Sequence, residues 1–550
     1  MCSGRPWSSV AARTTSRSRR PGTTWSSAVP TPDAGGVPRT RMPSEPLYLT
    51  TPLFYVNAEP HLGHFYVTLV GDVLARFWRA RGRTVFTLTG TDEHGDKIAQ
   101  AAAAAGVTPQ AHADRVSALF RSTWEEAGLR YDHFIRTTDA YHVRYVQQIL
   151  ARVHARGDIY FGSYRGLYCF GCERFYQERE LVDGVCPDHR VAPTEIAEEN
   201  YFFRMSAYQA RLQETLEVQP DLIVPDGYRR EVLALLREPI GDLCISRPKS
   251  RLAWGIEVPF DDRYVTYVWF DALLNYVSAL EHRGRLELWP TAHHLIGKDI
   301  LKAHAIFWPT MLMAAGLPLY RRLCVHGHWQ MQAGKMSKSL GNVVRPLAMK
   351  ARYGMDAFRY YLLRDMAFGQ DAEFSEAALV TRLNADLANG LGNLASRVLA
   401  MQQRYFAGAL QPRAPEPADE ALAAAFAAAG REVEAHAAEL AFHRALEALW
   451  RALDQANKYV VETAPFTLAK DPARRPRVGA ILHELCEALR VTAQLVEPFM
   501  PETAARLAAL LGLPAARLAA LDLPWGQAFP AGHRTAAPEP LFPRVDAVPE

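Results

Sequence analysis

The sequence predicts an α/β fold: a doubly wound parallel sheet, split by an insertion with metal-ligand spacing and followed by an α-helical bundle. Three observations carry this. Strand-length apolar runs alternate with helical periods over residues 44–156 and resume over 267–340. Between them, over 157–266, two close pairs, Cys169-x-x-Cys172 and Cys186-x-x-His189, fall among shorter strand signals. Beyond residue 341 the apolar period is helical.

The 550 residues leave room for roughly two to four domains. Lys+Arg number 62 and Asp+Glu 59, a net charge of +3, so any nucleic-acid face must be a local patch. No apolar run has the length of a membrane span. Of the seven cysteines, three sit at ligand spacing, while Cys2, Cys244, Cys324 and Cys486 are scattered. That usage fits a reducing compartment better than a disulfide scaffold.

Residues 1–43 are rich in Ser, Thr, Arg, Pro and Gly, with Asp33 as the single acidic residue. They read as a disordered extension or as sequence upstream of a start at Met42; a transit peptide is a third reading. The ordered pattern begins with Leu47-Tyr48-Leu49 and Phe54-Tyr55-Val56. His61-Leu62-Gly63-His64 follows, and Leu62, Phe65, Tyr66, Leu69, Val70, Val73, Leu74 and Phe77 then recur at helical spacing until Gly82. Thr84 to Thr89 reads as a buried strand. Two histidines therefore stand where a helix opens inside a strand–helix–strand unit, and a helix N-terminus suits phosphate. Gly63 removes the side chain that would hold a nucleotide off the backbone. By itself H-x-G-H is a weak signal.

The second strand runs into Gly90-Thr91-Asp92-Glu93-His94-Gly95. At the carboxyl end of a parallel strand Asp92 can hold an ammonium group, or it can serve as a helix N-cap. Helices follow around 99–105 and from Arg144 to His154, then short strands from Tyr160 to Tyr168. The two ligand pairs give four thiolate and imidazole donors with no open position, the pattern of a structural zinc site: Cys169, Cys172, Cys186 and His189. The sheet resumes with a strand from Tyr264 to Phe270 ending at Asp271, another at His294–Gly297, and a third at Arg322–Gly327. Lys335-Met336-Ser337-Lys338-Ser339 then forms a glycine-flanked cationic loop able to close on a leaving pyrophosphate. The helical part includes Asp356–Arg364, Asn384–Arg404 and long segments from about 418 to 512; Pro-rich stretches at 412–417 and 523–543 read as linker and tail.

These motifs, in this order, resemble the class I aminoacyl-tRNA synthetases and, among them, the bacterial methionyl-tRNA synthetases. The likeness covers about residues 44–520 and rests on Asn57 to His64, Gly90 to Gly95, Tyr267-Val268-Trp269-Phe270-Asp271-Ala272-Leu273, Gly297-Lys298-Asp299-Ile300, Lys335 to Ser339 and the zinc knuckle. The insertion is too short for the editing domain of the leucine, isoleucine and valine enzymes. The resemblance implies a Rossmann-type catalytic domain in two halves (44–156 and 267–340), a connective insertion (157–266), a stem-contact region (341–392), a helical anticodon-binding domain (393–520) and a tail (521–550).

It also implies ligation of L-methionine to tRNA(Met), the initiator included, using ATP with Mg2+. His61, Gly63, His64, Gly297, Asp299, Lys335 and Lys338 would hold ATP, with His61, His64, Lys335 and Lys338 acting in the transition state. Leu53, Tyr55, Asp92, Trp269, Ala272, Tyr276, Ile300, His304 and Trp308 would line the methionine site, and Asn393, Arg397 and Phe466 would meet the anticodon. Phe466 departs from the tryptophan found in many relatives; it can stack on a base but lacks the indole donor. A cytoplasmic monomer is expected, since the family's C-terminal pairing domain has no counterpart here. Two other readings are a small adenylyltransferase, which the lysine loop, zinc knuckle and helical end disfavour, and a non-catalytic tRNA-binding derivative, which would have lost His64, Lys335 or Asp299.

Overall fold

β1 (Leu47–Tyr55) and α1 (Leu62–Ala80) open the described chain, followed by β2 (Val85–Asp92), α2 (Asp96–Ala104), α3 (Pro109–Glu126), β3 (His133–Arg136) and α4 (Ala140–Ala155). A computed structural model describes residues 45–169, 174–176, 178, 181–187, 190–331, 343–514 and 524–546. The expectations for residues 1–43, Cys172, His189, Lys335 and Lys338 fall outside these residues.

Six parallel strands form the central sheet in the order β3, β2, β1, Ala292–Gly297, Arg322–His326, Ile223–Val224. The chain leaves β1 toward β2 on one side, and the later strands are added on the other. The crevice at the carboxyl ends of β1 and Ala292–Gly297 is therefore the switch point where such sheets take ligands. All eight residues of β2 are buried, as a strand covered on both faces requires. Pro52 has no N–H to give the ladder, and the β1–β2 register shifts between Thr50 and Leu53. One apolar core, holding Phe65, Leu69 and Val73 of α1, runs on without a break into the helical half; a second lies on the opposite face around Tyr276, Trp289 and Trp308.

The structure departs from the periodicity at several places. The short strands expected from Tyr160 to Tyr168 are one antiparallel strand, Ile159–Cys169, in a four-stranded sheet of the insertion. The apolar run from Tyr264 stays extended only to Thr266, within a separate three-stranded antiparallel sheet, and Val268–Ala272 is helical. A short run that is apolar on all sides does not distinguish a buried strand from a buried helix. The segment expected as a helix from Asn384 begins with π-type turns, Leu383–Gly392, before the α-helix Asn393–Phe406.

The Pro-rich C-terminal stretch is packed, with Phe529 and Leu541 buried. Leu410 N–H donates to His533 O at 2.8 Å, and Ala536 N–H to Leu510 O at 2.8 Å. The prolines limit its own hydrogen bonding, and its scattered apolar residues use the bundle as their core. Among the described residues, no helix is long and apolar enough to cross a membrane.

Candidate active site

The N-terminus of α1 is built by its own sequence. His61 is the N-cap, in extended backbone, and its Nδ1 accepts from Gly63 N–H at 3.1 Å. The His61 and His64 rings stack with centroids 3.8 Å apart, and His64 packs against Phe54 and Phe120, each at 5.2 Å. A Cβ at residue 63 would stand 3.1 Å from His61 Cε1, so a side chain there would press the stacked ring aside by a few tenths of an ångström. The arrangement presents two imidazoles beside the positive end of a 19-residue helix. Leu62 N–H donates to Val344 O at 3.0 Å and Arg345 pairs with Glu59 at 3.1 Å. The chain that follows the lysine motif is thus tied directly to this helix start.

β2 delivers the second group. Asp92 is its last residue, buried, and in register with Tyr55 of β1. The N-cap of α2 is Gly95, at φ 111°, so Asp92 is not spent on capping. The Tyr55 hydroxyl donates to His94 O at 3.0 Å. Gly90 is forced by the close approach of β3: a Cβ there would lie 2.0 Å from Ile135 O.

Next to Asp92, Glu93 is a strut. Its carboxylate takes both Nε and Nη2 of Arg136, at 2.7 and 2.9 Å, and the Trp254 indole donates to its carbonyl at 2.6 Å. Two further buried groups, Asp271 and His142, are not legible as a unit in the sequence. Asp271 lies 2.7 Å from His94 Nδ1 and 2.8 Å from His142 Nε2. Burial alone would raise its carboxyl pKa; the two imidazoles reverse this and hold it below the usual range. The available signal is a polar residue flanked by apolar ones, Asp271 between Phe270 and Ala272 and His142 between Tyr141 and Val143, which is weak without knowing that they meet.

The aromatic wall is assembled from β1, the helices Val268–Ala272 and Asn275–His282, and the chain that follows Gly297. Leu53, Tyr55, Trp269 and Ile300 are partly exposed, whereas Ala272, Tyr276, His304 and Trp308 are buried behind them. His304 Nδ1 faces Ile300 O at 3.0 Å and must donate to it, which leaves Nε2 to accept from the Tyr276 hydroxyl at 2.8 Å. Burial pushes His304 down to about 4, so it is neutral at pH 7. The Trp308 indole donates to His294 Nε2 at 3.3 Å, making Trp308 a backing residue and not an exposed wall. His304 stands on a π-helical turn, Ala303–Phe307, a geometry that concentrates at functional sites.

Gly297 ends the neighbouring strand, and a Cβ there would meet Asp299 Oδ1 at 2.5 Å. Asp299 is exposed at the crevice mouth, accepting from His328 Nε2 at 3.1 Å.

The remaining expected groups lie elsewhere. Asn393 is exposed and Arg397 half-buried, one turn apart on the helix Asn393–Phe406; Phe466 is 47% exposed on a short helix, Pro465–Leu468. In the insertion, Cys169 and Cys186 are buried together with Tyr176, whose hydroxyl is 3.3 Å from Cys186 Sγ.

A phosphate-type helix start, a buried carboxylate and an aromatic wall at one sheet switch point define a nucleotide-using enzyme of the class I tRNA synthetase type. The family model described as "tRNA synthetases class I (M)" matches residues 47–195 and 189–399, and that of the "Anticodon binding domain of methionyl tRNA ligase" matches 411–548. A methionine–tRNA ligase of Deinococcus radiodurans is 47% identical over 519 residues, covering 92% of this chain and 76% of the relative. That of Caldanaerobacter subterraneus is 44% identical over 509 residues, covering 92% and 79%. The solved Mycobacterium tuberculosis methionyl-tRNA synthetase in complex with methionyl-adenylate superposes with a TM-score of 0.86 at 41% identity, covering 91% of this chain and 100% of that one. The chain belongs to the methionyl-tRNA synthetase family.

Proposed function

We propose that this protein activates L-methionine with ATP and transfers the methionyl group to the 3′-terminal adenosine of tRNA(Met). One observation carries the reading: at the carboxyl end of β1, His64 packs on Phe54 and Asp92 is in register with Tyr55, and Asp271, two residues after Trp269, reaches His94 just beyond Asp92. ATP enters as its Mg2+ complex. A methionine carboxylate oxygen attacks the α-phosphorus, the bond to the bridging oxygen breaks, and pyrophosphate leaves with the electron pair. The terminal 2′-hydroxyl then attacks the methionyl carbonyl, AMP departs, and the hydroxyl proton is released. The chemistry needs positioning and charge stabilisation more than acid–base catalysis.

His61 and His64 hold the phosphates at the helix start, and Gly63 and Gly297 leave the backbone open to the nucleotide. Asp299 takes the ribose hydroxyls from the mouth of the crevice. Lys335 and Lys338 clamp the departing pyrophosphate. Asp92 pairs with the α-ammonium, and Leu53, Tyr55, Trp269, Ala272, Tyr276, Ile300, His304 and Trp308 shape a neutral, polarizable slot for the thioether. Asn393, Arg397 and Phe466 meet anticodon bases.

A Zn2+ ion would be held by Cys169, Cys172, Cys186 and His189. Two thiols buried in a cluster too small to be a core fit that role. Bound there, zinc cross-links the insertion. The working compartment is the cytoplasm, in keeping with the dispersed cysteines.

Methionine-dependent ATP–pyrophosphate exchange tests the reading. The parent exchanges with methionine and not leucine, and Lys335→Ala loses about tenfold or more, about 1.4 kcal/mol of transition-state stabilisation. A folded parent that is silent with every amino acid sinks it.

A further inference from the structure

Asp271 carries a buried negative charge that none of the steps above uses. It is fully enclosed and lies on the short helix Val268–Ala272, between Trp269 and Ala272 of the aromatic wall. Its two oxygens are divided between histidines that arrive from distant parts of the chain, His94 at 2.7 Å and His142 at 2.8 Å. His94 lies two residues beyond Asp92, and its carbonyl takes the Tyr55 hydroxyl at 3.0 Å. His142 comes from α4, and its other ring nitrogen is 2.8 Å from Ser278 Oγ, on the helix Asn275–His282 that carries Tyr276.

One carboxylate thus joins the strand end bearing Asp92 to the helix bearing Trp269 and Ala272, and braces both from α4. A carboxylate only accepts, so both contacts are N–H donations, with directions set by the rings. Core packing alone does not explain a charge here, since an apolar side chain would fill the space without needing partners.

We propose that Asp271 is the positioning residue of the amino-acid pocket. Through His94 it fixes the spacing between the carboxylate that takes the α-ammonium and the wall that takes the side chain. The proposal rests on the methionine-activating reading above. An amino acid is gripped at two ends about one side chain apart, so an error in that spacing weakens both grips together. ATP is held by α1 and the Gly297–Asp299 segment, neither of which contacts Asp271 through a side-chain hydrogen bond among the described residues.

The test is steady-state pyrophosphate exchange on the full chain, with thermal unfolding alongside. Asp271→Asn keeps the shape but turns one acceptor into a donor facing a histidine. The KM for methionine rises about tenfold or more while that for ATP stays within about twofold. His94→Asn gives the same split, and the double variant is no worse than the weaker single by more than about threefold, because both cut one link. Should Asp271→Asn fail to fold, His142→Asn, which removes only the far brace, still shifts the methionine KM selectively. Methionine and ATP KM values moving together, single effects that multiply, or an unmoved methionine KM in His142→Asn would each overturn the proposal. A parent silent with methionine would instead remove the reading on which it rests.

Discussion

At the scale of single residues, burial keeps two histidines neutral at pH 7: His304 of the aromatic wall and His326 at the end of the strand Arg322–His326. Burial holds both His304 and His326 at about 4, against an ordinary 6.5. In the unfolded chain each binds a proton once pH falls below about 6.5, while the folded form resists until about 4. The unfolded state therefore holds more protons across that window, and stability is full above it and drains away as pH falls through it. Each group accounts for on the order of 3 kcal/mol by the bottom of the window. The thermal midpoint should fall from pH 6.5 toward 4, and His304→Gln should flatten part of the slope. An equal slope in both proteins would show that His304 is not held neutral by the fold.

At the scale of elements, close approaches decide which motifs are possible. β2 and β3 pass so near that a Cβ at Gly90 would sit 2.0 Å from a backbone oxygen of Ile135. That oxygen belongs to a paired strand and cannot swing away as a side chain would. Gly90→Ala should lower stability in urea unfolding by about 2–3 kcal/mol and displace the Asp92 end of β2. Gly227 is the control: it lies in the helix Asp226–Leu235, with nothing within 4 Å of where a Cβ would stand. Alanine there should be neutral or stabilise by about 0.5 kcal/mol. If the two variants behave alike, the close approach is not what demands glycine at 90.

At the scale of the molecule, the crevice and the helical half are one mechanical body. Asp72, midway along α1, is chelated by Arg76 Nε at 2.9 and 2.8 Å, and Arg359 Nη1 lies 2.8 Å away. Arg359 also donates to the carbonyls of Phe499 and Pro498 at 2.7 and 2.9 Å, where the helix Arg475–Val496 hands over to Pro501–Leu510. Its Nη1 is near Asp72 but off the hydrogen-bond direction, so much of its hold is on those carbonyls. Arg359→Met should lower unfolding stability by about 3 kcal/mol, because it strands buried acceptors and half-neutralised charge. A change within about 0.5 kcal/mol, typical of a surface site, would show that Arg359 is not a tie between the two halves.

What the sequence determined by itself is the local chemistry. The His61–His64 helix start, the glycines beside it and the carboxyl-end position of Asp92 follow from capping, backbone freedom and strand–helix alternation, all of which act over a few residues. The doubly wound class followed from the same alternation. Only the tertiary structure decided that the run after Thr266 turns helical, that the proline-rich end packs on the bundle, and that Gly95 and not Asp92 caps the helix after β2. It also brought Asp271 to His94 across 177 residues and to His142 across 129. Periodicity reports which face of an element is buried. It cannot report which partner meets a buried charge, because that partner is supplied by distant chain and is stabilising only once water has been excluded.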